Sequence, residues 1–130
     1  MILGVGLDLV DIPRIARLVE AQGERAIARL FTPGEAAYAA ARAEPARHLA
    51  ARFAAKEAAF KALAGTERAR GIGWRDLEVA SEWDGRPTLR LHGRAAERAA
   101  ELGVTRVHLS LTHAETTAGA VVVLEGEPPR

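Results

Sequence analysis

The stretch from Ile2 to Val10 reads "ILGVGLDLV". Side chains alternate across a strand, so Leu3, Val5, Leu7 and Leu9 share one face, and Ile2, Gly4, Gly6 and Asp8 share the other. The second face is unusual, because two glycines clear space on it ahead of a carboxylate. That opening admits either a closely packed helix or a ligand. An aspartate at a strand end also commonly serves a turn or a helix cap, so Asp8 stays open between those roles.

Working outward, Asp11 is placed to cap a helix with Pro13 in its first turn and Gly23 at its end. "FTPGE" gives a second start, with Thr32 as N-cap, Pro33 at the first helical position and Glu35 completing a capping box. A long helix follows from about Ala46 to Ala64, closed by Gly65. Beyond the loop "GTERARGIG" the pattern turns to strands. "DLEVASEW" and "RPTLRL" flank Asp84-Gly85, a short hairpin signal. "GRAAERAAELG" is a short helix ended by Gly103. "VTRVHLSLTH" and "AGAVVVLEG" are the last two strands, the final one apolar enough to be central and buried on both faces. The order β-α-α-α-β-β-α-β-β predicts an α+β fold, a mostly antiparallel sheet packed against helices. One domain over 1–126 and a frayed tail over 127–130 are expected.

Composition excludes several classes. The chain has 130 residues, 48% apolar and 27% charged, an ordinary soluble balance for one domain. A net charge of +1 argues against a protein built to grip nucleic acid. Cysteine is absent, so disulfides and thiolate metal sites are excluded. No apolar run suits a membrane span and no charged leader precedes the first strand, which makes the cytoplasm the default.

The long helix carries the chemistry. Of 18 basic residues only two are lysine, Lys56 and Lys61, and both lie in "ARFAAKEAAFKAL", Ala51 to Leu63, on either side of Glu57. On a helical wheel Leu49, Phe53, Phe60 and Leu63 form a stripe expected to face the core. Ala54, Ala55, Ala58, Ala59 and Ala62 form a smooth opposite surface suited to close approach of another element. Glu57 and Lys61 are neighbours four apart, an arrangement that reads as a surface ion pair. Lys56 falls within the apolar stripe, where a lysine is costly unless partnered; snorkelling to water is the plain alternative. A lysine also offers phosphate a compact charge. Asp8 and Glu57 together can hold Mg²⁺, which keeps water and substrate phosphates among its ligands. Two carboxylates flanked by lysines suggest phosphate chemistry.

"GVGLDLVDIPRI", "RFAAKEAAFKAL", "GIGWRDLEV" and "HLSLTHAETTAGAVVV", in that order, resemble holo-acyl-carrier-protein synthase, the short single-domain class of 4′-phosphopantetheinyl transferase. The resemblance runs almost end to end and is weakest from Gln22 to Arg47 and in the tail. It implies an enzyme that transfers phosphopantetheine from coenzyme A to a serine of apo acyl carrier protein, leaving adenosine 3′,5′-bisphosphate. It implies Asp8 and Glu57 as Mg²⁺ ligands, with Lys61 on the pyrophosphate stabilising the transition state. Glu57, acting through water, or the water itself would serve as base. Lys56 would touch phosphate or pantetheine, with a purely structural role as its alternative. Arg52 matches a basic position for the 3′-phosphate, and His113 would contact the adenosine or that phosphate. Ser110 and Thr112 would offer polar groups to the nucleotide. Of the loop amides near phosphate (Gly65, Thr66, Gly71, Gly73), Gly65 is the expected cofactor-binding position. His48, His92 and His108 read as structural. Larger relatives often carry a second acid two residues beyond the first; Val10 stands there, leaving two protein ligands for the metal.

An acidic carrier protein needs a local basic patch. Arg14 is the first expected contact and Arg17 the next, with Arg25 and Arg29 beyond them. Short members of the family are homotrimers with sites at subunit interfaces, so a homotrimer is implied. The competing reading is a non-catalytic domain that binds an acidic partner through the basic first helix.

Overall fold

The computed structural model describes residues 1–63 and 70–130. Five strands and five helices follow the order β1 (Ile2–Asp11), α1 (Ile12–Gln22), α2 (Glu24–Leu30), α3 (Pro33–Ala40), α4 (Pro45–Leu63), β2 (Leu77–Ser81), β3 (Pro87–Leu91), α5 (Gly93–Leu102), β4 (Val104–His113) and β5 (Thr117–Gly126), with a 3₁₀ turn at Trp74–Asp76. All pairings are antiparallel: β1-β5-β4 form one sheet and β2-β3 a hairpin. The α+β expectation therefore holds, with one helix more than the sequence suggested. That helix, α2, has no side-chain cap and only 7 residues; burial of Ala26 and Leu30 is what fixes it.

Gly4 and Gly6 admit a helix. A Cβ built on Gly6 would lie 1.7 Å from the Ala58 carbonyl oxygen, and one on Gly4 2.4 Å from that of Ala62. The strand thus lies directly on the backbone of α4. The alanines are the reason α4 can come so close: Ala50, Ala54, Ala55, Ala58 and Ala59 have no solvent exposure at all. The alanine surface thus receives another element, as expected, and Leu49, Phe53 and Leu63 are buried in the core; only Phe60 departs from the expected stripe. The alanine side is the most buried, while Phe60 is 39% exposed.

Packing on the glycine side leaves the other face of β1 uncovered. Val5, Leu7 and Leu9 are each more than half exposed. Through the pairings Val5–Val123–His108, Leu7–Val121–Ser110 and Leu9–Gly119–Thr112, this outer face continues across all three strands. Strand β5 is central, as expected, but not buried on both faces: Val121 and Val123 are only half-buried, with no described element over them.

The capping box at α3 is present as read. Thr32 N–H donates to Glu35 Oε1 at 2.8 Å, and Glu35 N–H donates to Thr32 Oγ1 at 3.2 Å. Asp11 stands at the N-cap of α1 but makes no side-chain cap bond; its carboxylate lies 3.9 Å from Arg17. Among the described residues no helix is long and apolar enough to cross a membrane.

Candidate functional site

Asp8 sits on the covered face of β1, two residues beyond Gly6, where the strand crosses α4. Its Oδ1 accepts a bond from the Lys61 ammonium at 2.8 Å, across 53 residues of chain. Lys61 also donates to the Leu7 carbonyl at 3.1 Å. The surface ion pair expected between Lys61 and Glu57 thus gives way to one with Asp8, whose side chain is only 11% exposed. Glu57 meets Asp8 carboxyl to carboxyl. Its pKa is raised to about 7, first by burial, then by a hydrogen bond with Asp8 and by that carboxylate's charge, against the pull of Lys61 and Arg14. The other Asp8 oxygen, Oδ2, is buried without a hydrogen-bond partner. Two carboxylates and a lysine from distant parts of the chain therefore meet at one point, with acceptor capacity left over. Helix α1 packs against α4, and the Arg14 charge on it opposes the upward shift of Glu57.

Lys56 points elsewhere and is fully buried. Its ammonium donates to Glu35 Oε1 at 2.7 Å, to the Trp74 carbonyl at 2.9 Å and to the Leu77 carbonyl at 2.6 Å. All three N–H groups are used, so none remains for phosphate or pantetheine. Of the two roles held open for Lys56, the geometry selects the structural one. Burial lowers the Lys56 pKa, and the Glu35 carboxylate opposes that shift. Glu35 is fully engaged as well: its Oε2 accepts from Val79 N–H at 2.9 Å. One carboxylate thereby ties the start of α3, the middle of α4 and strand β2 together.

Arg52 lies on a different flank of α4. It is 4% exposed and lines a cavity of about 140 Å³ together with His48 and His113. His113 ends β4 and also borders a second cavity of about 470 Å³ beside Arg47 and Glu44. Five residues of helix separate Arg52 from Glu57, about 7.5 Å of rise and roughly 140° of rotation, so the two flanks cannot be one surface. Ser110 and Thr112 are exposed and fall on the outer sheet face with Leu7 and Leu9, away from Asp8. Gly65 and Thr66 lie outside the described residues. The Gly73 amide already donates to Asp76 Oδ2 at 2.9 Å. Arg14 and Arg17 stand exposed on α1, as do Arg25 and Arg29 on α2. The sequence reading missed Tyr38, whose ring lies against Arg52.

A sequence profile described as the 4′-phosphopantetheinyl transferase superfamily matches residues 4–121, and the chain belongs to that superfamily. A holo-[acyl-carrier-protein] synthase of Anaeromyxobacter sp. (strain K) is 52% identical over 132 aligned positions, covering 99% of this chain and all of that protein. The solved acyl carrier protein synthase of Mycobacterium tuberculosis is 47% identical, with a TM-score of 0.76 over 98% of this chain and all of that one. A Chronobacterium ammoniagenes complex of the synthase with CoA matches at 31% identity and a TM-score of 0.83, covering 95% of this chain and 97% of that one.

Proposed function

We propose that this chain transfers 4′-phosphopantetheine from coenzyme A to a serine of apo acyl carrier protein. The serine oxygen forms a bond to the phosphorus that carries the pantetheine. The bond from that phosphorus to the bridging oxygen breaks, and adenosine 3′,5′-bisphosphate departs with the electron pair. The serine proton passes to Glu57 through water, or to the water itself. Lys61, more than half exposed, is free to turn its ammonium from Asp8 to the phosphate oxygens as negative charge builds there.

The observation that carries the reading is the meeting of Asp8, Glu57 and Lys61. Asp8 Oδ2 is buried and unpartnered, and burial beside Asp8 holds Glu57 partly protonated. Such a pair fits a hard cation that prefers oxygen ligands. Asp8 and Glu57 would hold Mg²⁺, which when bound neutralises charge on the pyrophosphate. Arg52 and His113 would receive the 3′-phosphate of coenzyme A, and Arg14 and Arg17 the acidic carrier protein.

The same reading makes the active form a homotrimer. Two observations support it: the outer face of β1-β5-β4 is apolar and uncovered, and the two charged clusters lie on different flanks of α4. A neighbouring copy seated on that face would let Arg52 and His113 of one subunit complete the Asp8–Glu57 cluster of another.

The test mixes the protein, Mg²⁺, coenzyme A and apo carrier protein and weighs the carrier. A gain of one phosphopantetheine, lost in Asp8→Ala and Glu57→Ala, is expected. An unchanged carrier mass would overturn the transferase reading and leave a binding domain.

A further inference from the structure

The Arg52 guanidinium is buried, yet among the described residues no carboxylate pairs with it. Its Nε has no hydrogen-bond partner, and its Nη1 reaches only the His48 carbonyl, at 3.4 Å. Burial lowers its pKa, opposed by Tyr38 and by the charge of the Glu35 carboxylate. The surroundings are cationic too: the His48 pKa is lowered by burial and then by the charges of Arg52, Arg47 and Arg42. Arg52 lines two cavities: one of about 280 Å³ that it shares with Glu78 and Arg90, and one of about 140 Å³, beside His48 and His113, that no acidic side chain lines.

What holds this guanidinium in place is a ring. The central carbon of Arg52 lies 3.8 Å from the centroid of Tyr38, and that of Arg42 lies 3.3 Å from the same centroid. Two guanidinium carbons that close cannot share one face without overlapping, so the ring is clamped between them. The clamp is fixed from both ends. Arg42 Nη1 donates to the Tyr38 backbone carbonyl at 2.8 Å, and the His48 imidazole meets the ring edge-on at 5.7 Å. Stacking satisfies the π-face of a guanidinium while leaving its in-plane N–H groups free to donate.

We propose that Tyr38 is a positioning residue that holds Arg52 as a rigid receptor for a phosphomonoester, and so sets how strongly the enzyme prefers coenzyme A over its 3′-dephospho form. The inference rests on the reading that Arg52 meets the 3′-phosphate. A long arginine side chain with one weak hydrogen bond would otherwise sample several rotamers, and binding would have to order it each time.

The test compares wild type, Tyr38→Phe, Tyr38→Leu and Arg52→Met in two measurements. The first is kcat/KM for coenzyme A divided by that for 3′-dephospho-coenzyme A. The second is calorimetric binding of adenosine 3′,5′-bisphosphate against adenosine 5′-monophosphate. Tyr38→Leu should lower the kcat/KM ratio about tenfold, the scale of one desolvated cation–π contact, acting through KM. Tyr38→Phe, which keeps the ring, should stay within about twofold of wild type in both ratios, as its stacking face is unchanged. The binding ratio should fall in parallel in Tyr38→Leu. An unchanged ratio in Tyr38→Leu, or equal losses on both substrates, would overturn the proposal. If Arg52→Met lowers the ratio while Tyr38→Leu does not, the phosphate reading stands and only the positioning role falls. If Arg52→Met leaves the ratio intact, both fall together.

Discussion

Replacing Gly6 by alanine tests whether the strand–helix contact governs both stability and the carboxylate pair. The added Cβ would sit 1.7 Å from the Ala58 carbonyl oxygen and 2.7 Å from its carbonyl carbon. Ordinary contact begins at 3.4 Å, so β1 and α4 must separate by about 1.7 Å. Both sides of the clash are backbone, and no rotamer change relieves it. Overpacking typically costs 1–3 kcal/mol, so the expected loss is about 3 kcal/mol, equivalent to a Tm lower by roughly 10 °C. Gly4→Ala, whose Cβ would stand 2.4 Å from the Ala62 oxygen, should lose less. Gly34→Ala is the control: its nearest neighbour lies at 3.5 Å, and it should be neutral or stabilising by up to ~1 kcal/mol. Because Asp8 and Glu57 lie next to the clash, the same shift pulls the pair apart, and a displacement of about 1 Å can cost about 100-fold in rate. Urea unfolding and carrier-protein turnover read the two effects. A Gly6→Ala protein within about 0.5 kcal/mol of wild type, a typical neutral surface change, with full turnover, would refute the reasoning.

Three further outcomes follow from the geometry. Lys56→Met strands Glu35 as a buried unpaired carboxylate and should cost about 3–5 kcal/mol in urea unfolding, with part of the loss recovered in Lys56→Met/Glu35→Gln. Glu57 has its folded pKa raised from 4.5 to about 7, so its contribution to metal-free stability is full below about pH 4.5 and lost as pH rises through about 7. Mg²⁺ competes with that proton, so its affinity should climb over the same interval and lose this slope in Glu57→Gln, as calorimetry at several pH values would read. Leu9→Arg puts a charge on the uncovered outer face and should convert the proposed trimer to monomers in sedimentation, while the circular dichroism of the chain is retained.

The capping box was legible because it is local: Thr32 and Glu35 lie three apart and explain each other. That same sufficiency hid the second role of Glu35. Nothing in a satisfied capping box announces that its carboxylate also neutralises Lys56, 21 residues away. Lys56 was flagged as anomalous by its neighbours, yet its partner is a property of how α3 and β2 meet α4. In β1 the alternation was clear, but periodicity does not say which face is core. The glycine face won, because close backbone approach to α4 covers more of the strand than four larger side chains can without a second layer. The meeting of Asp8 with Glu57 followed from the family resemblance, and the two glycines gave its physical reason. Helix α2 carried no cap, and the clamp on Tyr38 needed one arginine from the turn after α3 and one from α4, so neither left a pattern in one dimension.

Six of the buried residues of α4 are alanine. An alanine has no rotamers to surrender when the chain orders, whereas a leucine or isoleucine gives up about 0.5–1 kcal/mol each. The segment that carries Arg52, Glu57 and Lys61 is therefore immobilised with little loss of side-chain entropy. It also offers few alternative rotamers for heat to populate, so its geometry should persist with warming until the whole domain melts at once.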